Sequence, residues 1–212
     1  MSLQVFTFVN GRWRENCYIL ANPEGDALII DPGGQPQKIK NLVDENHLHP
    51  QAILNTHAHY DHIGAVADLM EHYRLPFYLH SSDAHLLRHA NLYRMVFGAH
   101  DAIRIPEISQ DISSLPPTSE IASYQISWIY TPGHTAGSVC FLIDNLLFSG
   151  DTLMRNAVGR TDLPGGEPEQ LLLSLAALQE LPGETLVYGG HGPCTTIAAE
   201  FASGAPAWTL LQ

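Results

Sequence analysis

The chain has 212 residues and a net charge of −12, with 22 Asp and Glu against 10 Lys and Arg. That length supports one substantial core or two small domains, and the acidity repels nucleic acid and anionic lipid, so neither is an expected partner. No run is apolar for long enough to span a bilayer. The opening "MSLQVFTFVNGRWREN" lacks a basic segment followed by an apolar one, so the expected compartment is the cytoplasm. Cys17, Cys140 and Cys194 are too scattered for a disulfide framework or a Cys-rich zinc site.

Residues 5–9 and 17–21 read as strands joined by an Asn10-Gly11 hairpin turn. A third strand over 27–30 ends in "DPGG". Pro36 opens a helix whose Ile39, Leu42 and Val43 share one face. Residues 52–54 form a short buried strand that runs into "NTHAHYDHIGA". Ile63, Val66, Ala67 and Met70 recur at helical spacing, which predicts a helix starting just past His62. Residues 77–80 read as a strand and 82–89 as a helix with a Ser cap. Residues 97–120, with Pro106, Pro116 and Pro117, read as irregular. Strands resume at 125–130, 138–143 and 146–149, the last two joined tightly at "DNLLF". A loop over 152–166 holds three glycines, and Pro168 opens a helix that Pro182-Gly183 stops. A last strand over 185–188 precedes "GGHGP", and a short helix follows near 196–202. Trp128 and Trp208 read as core or interface residues. Without a linker or a low-complexity segment, residues 1–212 read as one domain.

Of the 12 histidines, His47, His49, His72, His80, His85, His89 and His100 lie in ordinary surface or helix contexts. The other five do not. His57, His59, Asp61 and His62 crowd six positions directly after a strand. Side chains two apart in extended chain point the same way, so His57, His59 and Asp61 project together while His62 enters the next turn. Imidazole and carboxylate converging in that way suit zinc, iron or manganese. Four groups from one turn rarely saturate an ion, and further ligands stand at other strand ends: His134 in "YTPGHTAGS", Asp151 in "LFSGDT" and His191 in "VYGGHGP". Glycine or proline flanks each, which allows the sharp bends a crowded site needs.

These motifs, in this order, resemble the metallo-β-lactamase superfamily, from "DPGG" to "GGHGP". "GRTDLPGG" and "GHGPCTTI" are most similar to the short bacterial glyoxalase II-like hydrolases. The resemblance implies an α+β fold, an αββα sandwich of two mixed β-sheets with helices on the outer faces. It implies that His57, His59 and His134 hold one metal, that Asp61, His62 and His191 hold a second, and that Asp151 bridges both. Asp31 matches an aspartate that supports the histidine loop from behind. Arg160, in "GRTD", matches a basic position near the substrate. The 21 residues after His191 end in a stretch without Lys or Arg, so the basic helical extension with which full-length glyoxalase II grips glutathione has no counterpart there.

Two divalent ions, zinc first with iron or manganese as alternatives, would share a hydroxide and lower its pKa towards about 7. The expected reaction is hydrolysis of a small-molecule thioester of the S-lactoylglutathione type, with Asp61 and Asp151 at the catalytic centre. A thiolate leaves without a proton donor, since its conjugate acid has a pKa of about 8.5, and no further acid–base motif is present. Persulfide dioxygenases share the ligand pattern and a similar "GRTD" stretch, so a mononuclear-iron dioxygenase is the alternative. A metal-binding sensor without turnover is the third reading.

Overall fold

Alternation along the strands divides the core. The computed structural model describes residues 3–99 and 101–202; His100 and Trp208 lie outside them. The first sheet has the order β1 (Gln4–Asn10), β2 (Glu15–Ala21), β3 (Asp26–Ile30), β4 (His49–Leu54), β5 (Phe77–Leu79), β6 (Gln110–Asp111). In β2 and β3, Cys17, Ile19, Ala27 and Ile29 pack outward, whereas Tyr18, Leu20, Leu28 and Ile30 pack against the second sheet. A strand buried on both faces reads as a continuous apolar run, and period-2 geometry then assigns each residue to a layer.

The second sheet runs β12 (Thr195–Thr196), β11 (Leu186–Gly189), β10 (Leu146–Gly150), β9 (Val139–Ile143), β8 (Tyr124–Tyr130), β7 (Thr118–Ile121). Phe141 and Phe148 face the first sheet, while Cys140 and Leu147 face outward. Both sheets are mixed: β3 and β4 pair in parallel, as do β10 and β11, and hairpin neighbours pair antiparallel. Helices α1 (Pro36–Glu45) and α2 (Val66–Tyr73) cover the first sheet, with Ile39, Val43, Val66 and Leu69 in its outer core. Short helices α3 (Ala84–Arg88) and α4 (Ala90–Val96) follow. Helices α5 (Pro168–Gln179) and α6 (Ile197–Phe201) cover the second sheet through Leu171, Leu175, Leu178 and Ile197. This is the expected αββα sandwich. No helix among the described residues is long and apolar enough to cross a membrane.

Several local expectations need correction. The first hairpin does not turn at Asn10-Gly11. Asn10 still pairs with Glu15, the loop spans residues 11–14, and Trp13 reaches the cleft described below. Helix α2 starts at Val66, not just past His62, because turns hold the chain first: His62 N–H donates to His59 (2.9 Å) and Ala65 N–H to Pro32 (2.9 Å). The helix expected over 82–89 is a 3-10 turn at Ser81–Asp83 followed by α3, and its cap is His80, whose Nδ1 accepts from Ser82 N–H at 3.2 Å. Residues 97–120 contain β6 and the start of β7; "TSEI" escapes a hydrophobic pattern because an edge strand buries little.

Candidate metal centre

The ligand-type residues all follow strands that end at one rim. His57 and His59 come after β4, His134 after β8, Asp151 directly after β10, and His191 just after β11. Hydrogen bonds between the sheets fix that rim. Asn16 N–H donates to Gly190 (2.8 Å), Val139 N–H to Thr56 (2.9 Å), and the Tyr18 hydroxyl to Gly189 (2.6 Å). Segments far apart in the sequence therefore meet on a rigid frame.

His57, His59 and His134 form one group of converging donor atoms, and Asp61, His62 and His191 form another. Asp151 lies between them: Oδ2 is 3.4 Å from His134 Nε2 and 3.6 Å from His191 Nε2, and Oδ1 is 3.6 Å from His62 Nε2. Asp61 Oδ2 stands 3.6 Å from His191 Nε2. Burial, joined by the neighbouring imidazoles, pushes the pKa of His57 and His59 well down, which favours the neutral ring that binds metal. Burial acts the same way on His62, but Asp151, Asp31 and Asp61 outweigh it and raise that pKa. Partial burial works to raise the Asp151 carboxyl, yet His62, His134 and His191 hold it below the usual range.

The donor set fits a cation. His57 Nε2, His62 Nε2 and Asp151 Oδ1 are buried without a hydrogen-bond partner, and orphaning a buried polar atom costs about 1–3 kcal/mol. His59 Nδ1 lies 2.8 Å from His134 Nε2; two ring nitrogens so placed share a proton or face a common cation. Four of the five imidazoles also have their other nitrogen held from behind. Thr56 Oγ1 meets His57 Nδ1 at 3.0 Å, Asp31 Oδ2 meets His62 Nδ1 at 3.2 Å, and the carbonyls of Arg160 and Trp13 meet Nδ1 of His134 (2.8 Å) and His191 (3.1 Å). Such partners orient metal-binding rings. Asp31 also accepts from the N–H (2.7 Å) and hydroxyl (2.6 Å) of Thr56, which places it behind the loop. Nitrogen and carboxylate donors without a thiolate suit divalent zinc, iron or manganese.

The cluster opens into a cleft of about 320 Å³ walled by Trp13, Tyr60, Phe97, Met154 and Arg160. Arg160 stands at this cleft, but Asp162 engages its guanidinium through two 2.6 Å hydrogen bonds, both side chains being exposed.

Asp83 and Trp13 carry weight that sequence reasoning missed. Asp83, 1% exposed, accepts from Ala58 N–H (2.9 Å), the Thr135 hydroxyl (2.9 Å) and Gly137 N–H (2.7 Å). It thus ties the loop holding His57 and His59 to the loop holding His134. In "HSSDAHLL" it reads as an ordinary helix-start aspartate, and nothing local marks it out. Asp83→Ala strands three donors and is expected to lower stability by about 3 kcal/mol and cation affinity about tenfold, read by denaturant unfolding and chelator competition.

A layered sandwich whose strand ends converge on one group of three imidazoles and one of two imidazoles and a carboxylate, with Asp151 between them, defines a metallo-hydrolase scaffold. The family model described as the metallo-β-lactamase superfamily matches residues 10–191, and the chain belongs to that superfamily. The probable metallo-hydrolase YqgX of Bacillus subtilis is 38% identical, covering 90% of each chain. The hydroxyacylglutathione hydrolase GloC of Haemophilus influenzae is 29% identical, covering 89% of this chain and 90% of that protein. Among solved structures, BLEG-1 B3 metallo-β-lactamase matches with a TM-score of 0.88 and 35% identity, covering 94% of this chain and 97% of that chain. TTHA1623 in a di-iron-bound form matches with a TM-score of 0.83 and 42% identity, covering 92% and 96%.

Proposed function

We propose that this protein is a two-metal thioester hydrolase acting on S-lactoylglutathione or a related acyl-thiol. The observation that carries the reading is the position of Asp151, within 3.6 Å of nitrogens from both ligand groups. In this reading His57, His59 and His134 hold one cation, Asp61, His62 and His191 hold the second, and Asp151 spans them. Zinc is the first choice, and the di-iron form of TTHA1623 keeps iron open. Two such cations supply a water of lowered pKa and a Lewis acid for the substrate carbonyl. The chain's own residues orient and enclose. Asp31 and Thr56 fix His62 and His57, the Trp13 carbonyl fixes His191, and Trp13 and Tyr60 wall the cleft against water.

The leaving group favours a thioester. Cleavage at an amide nitrogen calls for a proton donor to the departing amine. A thiolate needs no such help. The relative named hydroxyacylglutathione hydrolase supports the same class. The mononuclear-iron dioxygenase alternative shares this ligand pattern, and metal count with oxygen uptake separates it from the hydrolase.

The test is metal analysis of the protein as isolated, joined to assays of thiol release and oxygen uptake. Two cations per chain with turnover of an acyl-glutathione is the expected result. One iron with oxygen uptake on a persulfide, or cleavage of a β-lactam in preference to every thioester, contradicts the reading.

A further inference from the structure

Past Trp13 the cleft adjoins a second cavity of about 350 Å³. Its walls are the 11–14 loop, Gly33-Gly34 ahead of α1, and Arg94 with the segment after α4. Trp13 and Asp61 line both spaces. Two guanidiniums flank the indole: Arg12 Cζ lies 5.6 Å and Arg94 Cζ 5.9 Å from its ring centroid. In a chain with a net charge of −12, two arginines on one small cavity call for an explanation.

Structural duties absorb part of them. Arg94 has a side chain 8% exposed and holds Asp101, whose own side chain is 80% exposed, at 2.8 Å. Arg12 donates to the Gly98 carbonyl at 3.1 Å and has no carboxylate partner among the described residues. A guanidinium has five N–H donors, so most of Arg12's capacity is unspent, whereas Asp101 already takes two donors of the buried Arg94, Nη2 through its carboxylate and Nε through its carbonyl at 3.1 Å. Asp61 is the remaining acid at the wall, and its carboxylate faces His191.

We propose that this cavity is an anion subsite for the half of the substrate that departs as a thiol. A carboxylate or phosphate on that half docks on Arg12 and Arg94, its linker passes Trp13, and the acyl group lies among the ligand residues. The planar fork of arginine matches either anion bidentately. The subsite deepens the thioester reading and rests on it.

The metal-loaded protein separates the two claims when one acyl group is offered on three thiols: glutathione, which carries carboxylates, coenzyme A, which carries phosphates, and uncharged N-acetylcysteamine. The expected result is a preference in kcat/KM for one anionic thioester, and the one preferred identifies the anion. Arg12→Gln cuts that preference about tenfold, mainly through KM, and Arg94→Gln, checked for folding by its melting temperature, acts in the same direction. Arg104→Gln removes a guanidinium paired elsewhere with Asp68 and Glu71 and leaves the preference in place. Tryptophan fluorescence titrated with S-hexylglutathione, a thioether that cannot be hydrolysed, and with inorganic phosphate, gives a second readout: saturable binding of one of them, weakened about tenfold by Arg12→Gln. If no thioester turns over but this binding depends on Arg12, the subsite stands and the thioester reading falls. If thioesters turn over and neither arginine variant alters preference or binding, the subsite is overturned and the thioester reading survives.

Discussion

Asp151→Asn is expected to lower turnover by about a thousandfold or more while the protein stays folded. The substitution keeps the shape of the side chain and removes its charge. Among the described residues Asp151 is the one carboxylate within 3.6 Å of His62, His134 and His191 together, so both ligand groups lose their shared negative partner. Removing a single preorganised electrostatic group from a reacting centre commonly costs about 10²–10³-fold, and the loss here extends to cation retention. The three imidazoles that now depress the Asp151 carboxyl would lose the one negative charge they share. Thiol release and metal content should therefore fall together, from two cations per chain to one or fewer, with an unchanged circular dichroism spectrum. Full metal content in an active variant would show that Asp151 does not bridge.

Gly190→Ala should be nearly as damaging, although it adds one methyl group and touches no ligand atom chemically. A Cβ at this position would overlap Asp151 Oδ1, lie 2.7 Å from His62 Cε1 and 3.2 Å from the backbone carbon of Gly150. The overlap is relieved only by swinging the Asp151 carboxylate away from its place between the two groups or by shifting the His62 ring that Asp31 holds. The expected outcome is a loss of at least one cation and about a hundredfold in turnover, since misplacement by about 1 Å costs that much. Overpacking of this kind also lowers stability by about 1–3 kcal/mol. Chelator competition and thermal melting read the two effects separately.

The candidate ligand residues were the most legible part of this molecule. His57, His59, Asp61 and His62 betray themselves by density, and His134, Asp151 and His191 by a shared pattern of strand, sharp turn, ligand. The structure brings all seven to one rim. The strands were legible for a related reason: "CYILA" and "ALII" are apolar on both faces, and only a layer covered on each side tolerates that.

What stayed hidden depends on contacts between distant segments. Asp83 looks like a helix cap until the fold sets it against Ala58, Thr135 and Gly137. Trp13 sits in a hairpin loop, where nothing local shows that its carbonyl meets His191 while its ring lines two cavities. Arg160 was singled out for its side chain, yet its carbonyl is the atom that meets His134, and its guanidinium is engaged by Asp162. The start of α2 was misplaced because its apolar spacing extends back to Ile63, whereas the backbone from His62 to Ala65 is committed to His59 and Pro32.

Anomalous X-ray scattering from crystals of the metal-loaded protein tests the central claim most directly. Two peaks about 3.5–4 Å apart, one among His57, His59 and His134, the other among Asp61, His62 and His191, with Asp151 touching both, are the predicted result. A lone peak under full loading, or Asp151 turned away from either site, would contradict it.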